Sequence, residues 1–98
     1  MLGLLLAFAG AGVCSAQIID ATPEDAGLRK PRGLVVHQGT LWVADTDNGR
    51  VVGLPILEGG KLGSPARIID GLAEPFDVTA RDGMLYVAES AGGRVSAF

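Results

Sequence analysis

From residue 34 onward, short apolar runs alternate with pairs of turn-forming residues, and no long stretch has helical periodicity. The runs at 34–37, 41–45, 50–56 and 66–70, then 77–81, 84–89 and 94–98, are rich in Val, Ile, Leu and aromatic residues. Bounded by Gly, Pro, Asn and Asp, they have the pattern of β-strands. Gln38-Gly39, Asn48-Gly49, Asp82-Gly83 and Gly92-Gly93 suit the positive φ angles of tight hairpins, so the strands are expected to run antiparallel in succession. Leu41-Trp42-Val43-Ala44 and Leu85-Tyr86-Val87-Ala88 are apolar at every position, which predicts cover on both faces of the pleat. One stretch departs from this pattern. In 22–30, Thr22 can cap, Pro23 suits a first helical position and Glu24 and Asp25 favour a helix start, so a single helical turn is expected.

The runs also repeat. Sliding the chain by 44 positions lays 31–54 onto 75–98, with Pro31 on Pro75, Gly39 on Gly83, and Gly49-Arg50-Val51 on Gly93-Arg94-Val95. Substitutions between the copies keep side-chain class: Trp42 meets Tyr86, Asp45 meets Glu89 and Thr46 meets Ser90. A second echo, 16–20 against 66–70, has an offset of 50, so the first connection carries 50 − 44 = 6 more residues. Four strands per unit, this period and two-sided burial describe an all-β chain of β-propeller blades. The expected layout is an outer strand at 17–20, a blade at 31–70 and a partial blade at 75–98. A ring needs roughly four to eight blades. The chain is therefore expected to be an incomplete piece of a longer propeller, a reading its end directly after a strand favours, or else to self-assemble, for example as three chains.

The motif Pro31-x-Gly33, strand, Gly39-x-Leu41-Trp42-Val43-Ala44-Asp45-Thr46-x-Asn48-x-Arg50-Val51 resembles an NHL repeat. The second copy is similar, with Asp77 for Gly33, Glu89 for Asp45 and Gly92 for Asn48. The chain is also similar to gluconolactonase-like propellers, and the resemblance implies a six-bladed ring. It implies no single function, because such blades serve binding proteins, lyases and lactonases alike. In this repeat type the acidic residue is expected to accept hydrogen bonds from backbone and Arg that fix the turn, which gives Asp45 with Arg50, and Glu89 with Arg94, architectural roles. Asp77 is different, because it replaces the glycine of the repeat and Glu74 stands three residues before it. In lactonase-like propellers carboxylates and an Asn hold a divalent metal in the central channel, so the resemblance makes Asp77 the candidate ligand for a cation such as calcium. A hard cation needs several oxygens, and Asp77 supplies one carboxylate.

The first residues change the picture of where the chain acts. Leu2 to Val13 is uncharged and apolar, too short to span a bilayer of about 30 Å comfortably as a helix. Followed by Cys14, Ser15 and Ala16, it reads as a signal peptide over 1–16 and predicts a secreted or extracytoplasmic protein with no stable membrane span after cleavage. Cleavage there removes the single cysteine, so disulfides are not expected to hold the fold. With eight basic and eleven acidic residues scattered along 98 and a net charge of −3, no basic stripe exists for nucleic acid.

The remaining chemistry is sparse. His37, the single histidine, has no cysteine or second histidine with which to share a metal and is expected beside an exposed turn. A Ser-His-Asp set would have to be built from that one histidine, and Gly59-Gly60 lacks the Lys-Ser or Lys-Thr of a phosphate loop. Trp42 and Tyr86, at matched positions, are expected to pack between blades. The leading expectation is a binding scaffold without a cofactor, contacting a protein, glycan or small molecule through loops at one propeller face. The alternatives are a metal-dependent lactonase or lyase with Asp77 among its ligands, and a truncated product with no activity of its own.

Overall fold

The computed structural model describes residues 20–98, so the expected leader and all but the last residue of the expected strand at 17–20 lie outside the described residues. Strands β1 (Pro31–His37), β2 (Thr40–Asp45), β3 (Arg50–Pro55) and β4 (Arg67–Ile69) form one antiparallel sheet in that order. Strands β5 (Pro75–Arg81), β6 (Met84–Glu89) and β7 (Arg94–Ala97) form a second. The all-β fold of blade-like sheets is thus as the sequence predicts.

Register repeats with sequence. Val35 pairs with Trp42 and Val43 with Val52 in the first sheet; Thr79 pairs with Tyr86 and Val87 with Ser96 in the second, each 44 positions on. The backbone repeats as closely. Left-handed residues recur in pairs at the same spacing: Gly27 and Gly71, Lys30 and Glu74, Gln38 and Asp82, Gly39 and Gly83, Gly49 and Gly93. The β1–β2 and β5–β6 hairpins therefore use two-residue turns with positive φ at both positions, as expected. The next connections do not. Only Gly49 and Gly93 are left-handed there, and the pairings of Asp45 with Arg50 and of Glu89 with Arg94 enclose four-residue loops.

The sheets meet face to face. Trp42 and Val51 from the first sheet pack with Val78, Leu85 and Val87 from the second, flanked by Val35, Ile69, Leu72 and Ala80. On the other face of the first sheet, Val43, Val52 and Leu54 are covered by Leu28, Leu41 and Leu62. Full burial of such a side chain is worth about 1.5–3 kcal/mol, so both layers contribute materially. Two-sided cover holds for β2 but not for β6, where exposure alternates: Leu85, Val87 and Glu89 are buried while Met84, Tyr86 and Ala88 are exposed. The apolar run at 85–88 is the same as at 41–44, yet no further sheet lies against the second one among the described residues.

Where β1 approaches β5, the glycine of the motif has a steric role. An added Cβ on Gly33 would lie 2.6 Å from Asp77 Cα and in conflict with Asp77 Oδ1, whereas real Cβ atoms do not come within 3.0 Å of a neighbour. Gly33→Ala is expected to cost about 1–3 kcal/mol in urea unfolding, as overpacking does. The cost should persist in an Asp77→Gly background, because the obstacle includes the Asp77 backbone. Full rescue there would show that only the carboxylate interferes.

In 22–30, where a single helical turn is expected, one hydrogen-bonded turn forms and no helix follows it. Ala26 N–H donates to Pro23 O at 3.1 Å in a single turn, and Asp20 Oδ1 accepts Thr22 N–H at 3.0 Å. Local capping signals lose here to tertiary contacts: Gly27 is left-handed, Ala26 is buried and Leu28 packs beneath the first sheet.

Candidate functional site

At the end of each blade where β2 passes to β3, and β6 to β7, an acidic side chain is drawn inward. Asp45 is 0% exposed and Glu89 is 1% exposed, among the few buried charges of the described residues. Asp45 Oδ1 accepts the Arg29 N–H at 2.6 Å, and its Oδ2 accepts Asn48 Nδ2–H at 2.8 Å and Arg50 Nε–H at 2.7 Å. Glu89 repeats two of these bonds, accepting the Ala73 N–H at 2.8 Å and Arg94 Nε–H at 2.9 Å. Arg29 and Ala73 precede β1 and β5 by the same interval, so each acid clamps the incoming chain to the turn of its own blade. Such charge-assisted bonds are the stronger kind, and burial is tolerable because each carboxylate is paired and multiply bonded.

The copies differ in how they finish this clamp. In the first, Asn48 Nδ2 also donates to Gly27 O at 2.8 Å and Arg50 Nη2 to Ala26 O at 2.6 Å, recruiting the 26–29 loop. In the second, Gly92 replaces Asn48 and the Ser96 hydroxyl donates to Glu89 Oε2 instead. Consequently the Arg50 side chain is 17% exposed and that of Arg94 is 61% exposed. Thr46 Oγ1 donates to Pro75 O at 2.7 Å, joining the first turn to the start of β5. Ser96 as a partner was not foreseeable from the motif, which has Val52 at the matching place.

The Arg94 guanidinium, followed by the Ala73 N–H and the Ser96 hydroxyl, holds the Glu89 carboxyl down to about 2 from its ordinary 4.5. A carboxyl with a lowered folded pKa stabilises fully above its unfolded value and loses that contribution as pH falls through the folded value. Stability is therefore expected to drop between about pH 4.5 and pH 2 in part through Glu89. Thermal unfolding across that window should fall less steeply with acid in Glu89→Gln than in the parent.

The other candidates lie elsewhere. Asp77 is exposed, and its Oδ1 accepts the Val78 N–H at 2.9 Å. Glu74 turns to the Ser90 hydroxyl at 3.3 Å, so the structure does not bring the two carboxylates to a common point. Beside Asp77, between β1 and β5, the Arg32 guanidinium stacks 4.9 Å from the Phe76 ring centroid. No group of three or more His, Cys, Asp or Glu side chains converges among the described residues. His37, expected beside an exposed turn, is only half-exposed, with a buried Nε2.

One feature of the surface stands out. The outward face of the second sheet carries Thr79, Tyr86, Ala88 and Val95, with Tyr86 39% and Val95 70% exposed, around a depression of about 200 Å³. These positions match Val35, Trp42 and Ala44 in the first sheet, the face on which the second sheet sits. No helix of the described residues is long and apolar enough to cross a membrane.

Residues 28–54 match the family profile of the NHL repeat, a span containing the Asp45, Asn48 and Arg50 clamp. No curated protein matches the chain.

Proposed function

We propose that this chain, which carries an NHL repeat, is part of an exported β-propeller, six-bladed when complete, that acts as an interaction scaffold. The observation that supports this most is the uncovered face of the second sheet. Its residues occupy the repeat positions that, one blade earlier, form a blade-on-blade contact, and an exposed apolar sheet face of this kind marks an association surface. The acid–Arg clamps make the turns at 46–49 and 90–93 rigid connections from which contacts can be presented. Export rests on the apolar stretch ending near Ala16, and six blades rest on the likeness of the motif.

Light scattering over a concentration series tests the scaffold. The chain is expected to associate as concentration rises, and Val95→Lys, which sets a charge on the face, to stay monomeric with an unchanged circular dichroism spectrum. A parent chain that remains monomeric, and that captures no protein partner sensitive to Val95→Lys, contradicts the reading. Residues 1–16 fused to a reporter should direct its export; retention in the cytoplasm removes that part. A divalent metal retained stoichiometrically by the folded chain and lost in Asp77→Ala would replace the scaffold with the metal-dependent enzyme.

A further inference from the structure

The first sheet also has an open apolar face. Leu34 pairs with Val43 and Val36 with Leu41, so all four project to the side away from the second sheet. Leu28, Leu41 and Leu62 cover Val43, Val52 and Leu54 there, yet Leu34 is 60% and Val36 is 61% exposed. Their counterparts 44 positions on are placed differently. Val78 and Ala80 face the first sheet and, with Leu85 and Val87, pack on Trp42 and Val51. Leu28, at the edge of the open face, corresponds to Leu72, which flanks that same contact.

The chain thus turns to solvent both halves of a contact that it makes once internally. The outward face of the second sheet, with Tyr86 and Val95, repeats the face of Trp42 and Val51. The face of Leu34 and Val36 repeats the face of Val78 and Ala80 that packs on it. A second copy of the chain therefore carries the surface that the second sheet lacks. It also carries a strand. The second sheet has three strands where the first has four, so the outer edge of β7 has no partner strand among the described residues. In the first sheet that edge is filled by β4, which directly precedes the opening strand of the next sheet. Residues 16–20 echo 66–70 and precede β1 in the same way, so in a stack of copies they fall on the β7 edge of the neighbour. Gln17 to Ile19 lie outside the described residues, and their place on this edge is assigned from sequence alone.

We propose that copies of this chain associate head to tail, the Leu34 and Val36 face of one copy packing on the Tyr86 and Val95 face of the next. This rests on the scaffold reading above and names the partner of its open sheet face. The contact is heterologous: each copy keeps one face of either kind for a further neighbour, and association continues until it closes on itself. One position opposes a perfect repeat. Asp77 stands on this face where Gly33 stands in the internal contact, and there an added Cβ comes within 2.6 Å of backbone. The copies are therefore held slightly apart at that end, and Asp77→Gly should strengthen association severalfold.

Light scattering of the full chain with single-face variants tests the pairing. Leu34→Lys, at an exposed position, should be monomeric with an unchanged circular dichroism spectrum, as Val95→Lys should be. Val36→Lys repeats the test on the same face if Leu34→Lys does not fold. Mixed in equal amounts, Leu34→Lys and Val95→Lys should form a complex of two chains and nothing larger, because the intact Val95 face of the former takes the intact Leu34 face of the latter. Leu34→Lys and Val36→Lys chains that associate like the parent overturn the head-to-tail contact and leave the Val95 face standing as an association surface. Two monomeric variants that do not pair on mixing overturn it as well. Asp77→Gly chains that associate no more tightly than the parent contradict the matched register. A parent that stays monomeric at every concentration overturns self-association, and capture of a protein partner lost in Val95→Lys then decides the scaffold separately.

Discussion

Asp45→Ala is expected to lower the stability of the chain by about 3–5 kcal/mol, the cost of breaking a buried ion pair from one side. The substitution leaves the Arg50 guanidinium, with its side chain only 17% exposed, facing no carboxylate. It also strips the Arg29 N–H of its Oδ1 acceptor and Asn48 Nδ2 of its Oδ2 acceptor. A domain of this length holds roughly 5–15 kcal/mol in all, so the variant should lose a large share of its stability and unfold at markedly lower urea. Asp45→Asn, which keeps the shape and one acceptor, should fall between the parent and Asp45→Ala. The exposed partner of the second copy provides the contrast. Arg94→Ala removes a cation whose side chain is 61% exposed but leaves the buried Glu89 carboxylate with only the Ala73 N–H and Ser96 hydroxyl, so it should destabilise in urea unfolding, though less than Asp45→Ala.

Trp42→Ala is expected to cost about 3–5 kcal/mol as well, for a different reason: it opens a cavity where Val51, Val78, Leu85 and Val87 converge. Tyr86 holds the same position one repeat later, yet Tyr86→Ala should stay within about 0.5 kcal/mol of the parent because its face is uncovered. Circular dichroism during urea unfolding measures both, since the tryptophan signal is lost in the first variant. Equal costs at 42 and 86 would mean that the second sheet is covered in solution by something that packs as the second sheet packs on the first.

Much of this fold was legible because the copies differ within side-chain class. The pairing of Trp42 with Tyr86 and of Asp45 with Glu89 located the strands and the turns, and the observed register repeats at that spacing. Local rules did less well where tertiary contacts decide. Thr22, Pro23 and Glu24 signal a helix start, but the 26–29 loop is held open by Arg50 and Asp45, residues distant in sequence. Lys30 and Glu74 adopt left-handed backbone that neither residue type advertises. Four consecutive apolar residues at 85–88 announce two buried faces, whereas burial depends on whether another sheet is there. The candidate chemistry was the least legible part. Asp77 departs from Gly33 in the repeat, and in the structure the two positions face each other. The unpartnered nitrogens of Trp42 and His37 could not be read from the chain, because whether a buried indole finds an acceptor is settled only by the packing around it.

With Trp42 and Val51 packed on Val78, Leu85 and Val87, the two sheets should unfold as one cooperative body. Native-state hydrogen exchange of Val87→Ala tests it most directly, since Val87 belongs to the second sheet, is 0% exposed and packs in the cluster shared with the first. The slowest amides of β2 and β3 should lose the same protection as those of β6, in step with the global loss of stability. Protection that falls in β5 to β7 alone, with β2 and β3 unchanged, would show two independent sheets and contradict it.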